Sequence, residues 1–301
     1  MKYSSFSLPI ALWIAIASYA CKTVDLRSDY LQKNAQTHSL EERGRQLLEE
    51  AGRQMGYDQL SQTEAYEVTA NFKWNPFFAM MPMNALPGNL GKDIQFRFAT
   101  NTFDGQVAYL EGRKENKTYG LQSWEGYYAK DSLQKTEKHD SKRYAWGLAT
   151  YHYLIEAPWR LQRAEIVRYA GERSVNGQQY DLVFATWGSE APNKQYDQWL
   201  IYINQRTGYI DLTEITIGDF FLPLPKGMQY GTVLYPERTK TAIGALLPTR
   251  IIIQIGKPKE AHRDVYTIRF RDYTFDSFDL AELYPLDGLP TYGDAKPAET
   301  K

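Results

Sequence analysis

In IVRYAGERSVNGQQYDLVFATW, residues 166–187, two runs rich in β-branched and aromatic residues flank Asn176-Gly177. Asn-Gly readily supplies the two consecutive positive-φ residues of a type I′ turn, whose twist matches that of paired strands. The pattern predicts a hairpin of Ile166–Arg173 and Gln179–Trp187. A second hairpin follows, QWLIYIN at 198–204 turning through Gln205–Gly208 into YIDLTEITI at 209–217. Outward from these, alternation marks strands at 67–74, with Val68, Ala70, Phe72 and Trp74 on one side, and around Ile94, Phe96 and Phe98. Further strands are expected at 105–111, 117–129, 250–255 and 265–275, about ten in all by the period-two criterion.

Two segments break this pattern by reading as helices. Ser39 with Glu42 three residues on has capping-box spacing, and Leu40, Leu47, Leu48, Ala51 and Met55 recur helically until Gly56. KRYAWGLATYHYLIEA, 142–157, places Tyr144, Leu148, Tyr151 and Ile155 at helical spacing and is expected to stop before Pro158. Tyrosine numbers 23, phenylalanine 13 and tryptophan seven; such aromatic weight favours half-buried sheet faces. The fold class is therefore mainly β: a large curved antiparallel sheet, an open half-barrel, with a few helices packed on its concave face. A closed barrel with an external helix fits the same pattern.

Lys plus Arg total 35 and Asp plus Glu 36, and no basic block offers phosphates a surface, so nucleic acid is not an expected partner. The N-terminus MKYSSFSLPIALWIAIASYAC ends in the only cysteine. Lys2, an apolar run from Leu8 to Ala17 and small Ser18 and Ala20 before Cys21 have the layout of a lipoprotein signal, cut before a cysteine that is then acylated. An ordinary signal cut near Ala20 fits too. A membrane-spanning anchor is disfavoured, because the run falls short of the ~20 residues a span needs. The resulting division is a signal peptide at 1–20, a tether at 21–37, a single β-rich domain at 38–286 and a flexible tail at 287–301. Cys21 is the expected lipid-attachment residue, and a membrane is the partner it would bring.

QWLIYINQRTGYIDLTEITI, 198–217, resembles the strand–polar turn with TG–strand element of the lipoprotein-localisation carriers, the LolA/LolB-like superfamily. TAIGALLPTRIIIQIG, 241–256, is similar to the segment that follows it in uncharacterised Bacteroidetes lipoproteins. The resemblance covers mainly 160–280. It implies an open half-barrel with helices over an apolar cavity, a carrier or binder of lipid-like ligands, and a cell-envelope location, lipid-anchored and facing the periplasm or the cell surface. It transfers no individual binding residue.

Residues read on their own account yield little catalytic chemistry. His38, His139, His152 and His262 are scattered outside metal-ligand spacing. No GxSxG, HExxH, phosphate loop or EF-hand occurs, so no catalytic residue, metal or cofactor is assigned. The stronger signal is apolar excess in two proline-broken loops: WNPFFAMMPMNALPGNLG at 74–91 and GDFFLPLPKGM at 218–228. Trp74, Phe77, Phe78, Met81, Phe220, Phe221 and Leu222 are the candidate ligand-binding residues, either as a flap over an apolar cleft or as covers of the core. The competing functional reading is a surface glycan-binding protein or glycoside hydrolase. It would use Trp124, Trp146, Trp187 or Trp199 as a sugar platform beside carboxylates such as Glu64 and Glu67 or Asp276 and Asp279.

Overall fold

The computed structural model describes residues 24–34, 38–218, 220–256 and 263–289. Cys21, the signal segment, His262 and the tail from 290 onward lie outside the described residues. Thirteen strands run in order: β1 (Ala65–Trp74), β2 (Asp93–Ala99), β3 (Gly105–Tyr109), β4 (Lys117–Gln122), β5 (Glu125–Lys130), β6 (Ser132–Lys138), β7 (Ile166–Val175), β8 (Gln178–Thr186), β9 (Trp199–Asn204), β10 (Ile210–Thr216), β11 (Tyr230–Lys240), β12 (Leu246–Ile255) and β13 (Arg263–Phe275). The α-helices are α1 (Asp29–Lys33), α2 (His38–Gln54), α3 (Tyr57–Leu60), α4 (Pro76–Ala79) and α5 (Lys142–Arg160).

All thirteen strands form one open antiparallel sheet, ordered β6-β5-β4-β3-β2-β1-β13-β12-β11-β10-β9-β8-β7. It consists of two meanders, β1–β6 and β7–β13, joined at the centre where the first strand pairs the last, Trp74 opposite Tyr266. The link between the meanders must travel from one sheet edge, β6, to the other, β7. Helix α5 makes that journey through the interior. Tyr144 stacks on Tyr119 of β4 at 3.9 Å, whereas Tyr153, nine residues on, meets Trp199 of β9 at 5.0 Å. Those strands are eight places apart, about 38 Å on a flat sheet, while nine helical residues rise only about 14 Å. The sheet therefore bends round the helix, and the half-barrel is filled.

That position explains why α5 is buried almost all round, from Tyr144 to Arg160. Its middle rests on β1, β2 and β13, with Tyr151 against Phe72 at 5.0 Å, Phe96 at 5.8 Å and Tyr266 at 6.4 Å. The helix also runs through Pro158 rather than stopping before it. A proline removes the N–H that the carbonyl four residues earlier would accept. Here Leu154 O accepts instead from Tyr235 Oη of β11 at 3.2 Å, and the neighbouring Ile155 O from Tyr57 Oη at 2.8 Å. Tertiary hydroxyls replace what the proline takes away.

The outer face is belted at both ends of the chain. Residues 24–34 lie over β7–β10 in a second apolar cluster with Leu26, Leu31, Leu182, Leu200 and Leu212. The segment after β13 lies along β1–β4, where Gln122 exchanges two hydrogen bonds with the Leu286 backbone, 2.6 and 2.8 Å. Helix α2 covers the β7 edge so closely that a Cβ on Gly44 would stand 2.8 Å from the Arg168 and Tyr169 backbone. The opposite edge, β6, is short, exposed and lysine-bearing, which discourages further pairing.

Thirteen strands replace the expected ten for three physical reasons. The 117–129 strand is a tight hairpin, β4–β5, because Ser123 and Trp124 both adopt positive φ, 50° and 66°. β6, SLQKTEK, is an edge strand with no buried face to impose alternation. β11 contains Pro236, tolerated because the ladder slips there, between Leu234 and Glu237, and β10 no longer pairs beyond Leu234.

Candidate functional site

Both proline-broken loops border one cavity. Trp74 and Met83 come from the first, Ile217, Phe220, Leu224 and Met228 from the second, and the floor is Trp146 and Tyr151 of α5 with Ile253, Ile255, Val265 and Tyr266. Each loop is fixed by its prolines and its polar residues. Asn75 caps α4 by accepting from Phe77 N at 3.0 Å, and Asn84 Oδ1 accepts from Leu86 N at 3.0 Å. On the second loop Asp197 Oδ1 holds the Gly218 N–H at 2.8 Å. The cavity is almost wholly apolar but small, about 60 Å³, because α5 occupies the rest of the concavity. Trp74 and Tyr266, both lining it, pack ring against ring at 4.5 Å, tilted by 32°. Burial pushes the Tyr266 phenol up to about 12, so it stays protonated and neutral.

The sequence candidates divide. Trp74 and Phe220 line the cavity. Phe78 is 4% exposed and belongs to the core. Phe77 stands outside it, half exposed and edge-on to Phe78 at 5.2 Å. Met81 is half-buried against the core. Phe221 packs on Phe220 at 4.2 Å and Trp146 at 5.8 Å, and Leu222 of the second loop and Met80 of the first are exposed, the latter at 80%. Loop composition could not have pointed to Trp146, Tyr151 and Tyr266. Their helical and strand periodicity reads as core, and only the curvature of the sheet brings them to the loops.

Two polar constellations lie elsewhere. On α5, His152, Glu156 and Arg160 are wholly buried, with Glu156 joined to His152 Nε2 at 2.9 Å and Arg160 Nε at 2.7 Å. Burial pushes the Glu156 carboxyl up, but Arg160 and His152 outweigh it and hold it below the ordinary range. Phe98 stacks on the imidazole at 4.2 Å and Arg160 lies over Phe103 at 4.4 Å, so this is a sealed structural network. On the outer face a polar cavity of about 350 Å³ opens under the N-terminal arm, between Asp25–Tyr30 and Glu172, Arg173 and Glu214. Its buried carboxylate, Glu214, is held by Arg173 at 3.1 Å and by the Tyr202 hydroxyl.

Three of the four carboxylates considered for sugar hydrolysis are engaged elsewhere. Glu67 is paired with Arg97. Asp276 accepts from the Glu64 and Ala65 backbone, and Asp279 caps the turn at Ala281. Trp199 is buried, and Trp124, Trp146 and Trp187 are half-buried. Among the described residues no group of His, Cys, Asp or Glu is placed to hold a metal ion, and no helix is long and apolar enough to cross a membrane.

No protein-family model and no curated protein matches the chain. Solved structures are similar in shape. One is a putative outer membrane lipoprotein-sorting protein domain from Vibrio parahaemolyticus, with TM-score 0.48 and 7% identity, covering 81% of this chain and 97% of that one. Another is a DUF1329 family protein from Desulfovibrio piger, with TM-score 0.46 and 10% identity, covering 81% and 96%. A LolA superfamily protein from Nitrosomonas europaea has TM-score 0.44 and 11% identity, covering 78% and 94%.

Proposed function

We propose that this chain is a non-enzymatic envelope lipoprotein, held on a membrane by acylated Cys21, that binds a lipid-like molecule where the two proline-broken loops meet α5. The observation that carries the reading is the meeting itself: Trp74, Met83, Phe220, Leu224 and Met228, from loops far apart in sequence, surround one apolar cavity with Trp146. Phe77, Met80 and Leu222 of the same two loops are exposed, apolar surface that a bound partner would cover. About 60 Å³ admits only a few carbons, so a long acyl chain enters by displacing the 217–229 loop from Trp146. Each methylene buried there contributes ~0.8 kcal/mol.

The test is titration of the chain, purified without its signal, with a fluorescent fatty acid. Binding in the micromolar range is expected. Phe220→Asp, at a half-buried position, should weaken it at least about tenfold, equivalent to ~1.4 kcal/mol, while leaving thermal unfolding nearly unmoved. No binding by the unmodified protein, or equal affinity in Phe220→Asp, refutes the reading.

A further inference from the structure

The outer-face cavity beneath the N-terminal arm holds more carboxylate than its arginines neutralise. It encloses about 350 Å³, inside the range of about 300–1,000 Å³ typical of small-molecule sites. Its roof is pinned on the sheet: Leu26 N donates to Gln198 Oε1 at 2.8 Å, Ser28 Oγ donates to Ala170 O at 2.6 Å, and Leu31 is buried beyond them. The space under the arm is thus part of the fold.

Six charged residues border it, Asp25, Asp29, Glu172 and Glu214 against Arg27 and Arg173. Both arginines are already engaged. Arg27 forks onto Asp25, with Nε to Oδ1 at 3.0 Å and Nη2 to Oδ2 at 2.7 Å, and Arg173 Nη1 donates to Glu214 Oε1 at 3.1 Å. Asp29 and Glu172 are exposed, and no cation lies within ion-pair distance of either among the described residues. Two negative charges are left over.

Glu214 says where a ligand would reach. It is 1% exposed and stands opposite Leu200 in the β9–β10 ladder, on a face otherwise built of leucines such as Leu182 and Leu212. A leucine would pack there under the arm, and a buried ion pair gains little over such packing. Arg173 and the Tyr202 hydroxyl both donate to Oε1, whereas Oε2 accepts no hydrogen bond among the described residues and is not sealed from solvent. Since Glu214 borders the cavity, that oxygen is open to a donor entering it.

We propose that this cavity is a binding site for an aliphatic diamine. One ammonium group donates to Glu214 Oε2 at the floor and the other to Asp29 and Glu172 at the exposed side, charge-assisted hydrogen bonds that are stronger than neutral ones. Leu26, Leu182 and Leu200 give the intervening methylenes an apolar wall, and Tyr30, 42% exposed, adds a ring that attracts a cation. An anion finds no arginine with charge to spare. A metal ion is the poorer fit, because no three carboxylate or imidazole ligands converge among the described residues.

The experiment is isothermal titration calorimetry of the chain, purified without its signal, with 1,4-diaminobutane at pH 7.5, beside 1-aminobutane and 1,4-butanediol. The diamine should bind at least about tenfold tighter than the monoamine, and the diol should give no saturable heat. Glu214→Gln strands Arg173 and can disturb the fold, so the deciding variant is Asp29→Asn combined with Glu172→Gln, both at exposed positions. It should weaken the diamine at least about fivefold with the circular dichroism spectrum unchanged. No saturable binding, a diamine no tighter than the monoamine, or unchanged affinity in the folded double variant overturns the proposal. Magnesium displacing the diamine at equal concentration would assign the cavity to a metal ion and overturn it too.

Discussion

Glu156→Gln isolates the energetics of the sealed network on α5. The substitution preserves shape but deletes the carboxylate charge that His152 and Arg160 share, all three residues at 0–1% exposure. Arg160 would keep the Thr102 carbonyl and the Phe103 face, and neither group carries a charge. Breaking a buried pair from one side costs about 3–5 kcal/mol, and in a domain of this size each kcal/mol moves the midpoint by about 2–4 °C. A drop of roughly 6–20 °C is thus expected in thermal unfolding followed by circular dichroism at pH 7. The Glu111→Gln control removes an exposed partner of Lys92 and should leave the midpoint nearly in place. The folded-state pKa of Glu156 lies below its ordinary value of 4.5, so its contribution is present above that value and is lost as pH falls through the folded pKa. The gap between wild type and variant should accordingly narrow below about pH 4.5. A loss under ~1 kcal/mol at pH 7, or a gap that widens on acidification, would refute the account.

Tyr235→Phe should cost about 1–3 kcal/mol by orphaning Leu154 O, and the cost should shrink in a Pro158→Ala background, where a helical N–H returns; denaturant midpoints of the wild type, the two single variants and the double variant measure the coupling. Gly177→Ala meets nothing within 4 Å yet has φ of 79°, so about 1–2 kcal/mol of pure backbone strain is expected in urea unfolding. Cys21→Ser should shift the full-length chain from the membrane to the soluble fraction on ultracentrifugation.

What the sequence discloses about this fold depends on whether a residue's conformation is intrinsic or imposed. Asn176-Gly177 favours its turn on its own, and the β7–β8 hairpin was readable. Ser123-Trp124 adopts the same positive-φ geometry only because the Asp104 carboxylate holds the Ser123 N–H and Trp124 packs on Phe103 at 5.1 Å, so that turn stayed hidden. Pro158 and Pro236 likewise signal interruption until distant groups compensate. The helices near 38–54 and 142–160 were legible because their buried faces are periodic. At the candidate site, apolar excess pointed to both loops, and Trp74 and Phe220 among the residues it singled out line the cavity. It could not separate Phe78, which is core, from Phe77, which is exposed, since that depends on which side of a four-residue helix faces inward.

The pairing of the first strand with the last also has a consequence in time. β1 and its central partner β13 are separated by roughly 190 residues, which at 5–20 residues per second take about 10–40 s to synthesise. Throughout that interval β1 can pair with β2 on one side only. Its other edge presents a row of free N–H and C=O groups between Val68, Ala70 and Phe72, the kind of template on which a second chain can align. Loop closure over such a span is entropically unfavourable and slow compared with hairpin formation. The two meanders would therefore form early as separate halves, and the central seam, together with the wrapping of the sheet around α5, would be the last and rate-limiting event of folding.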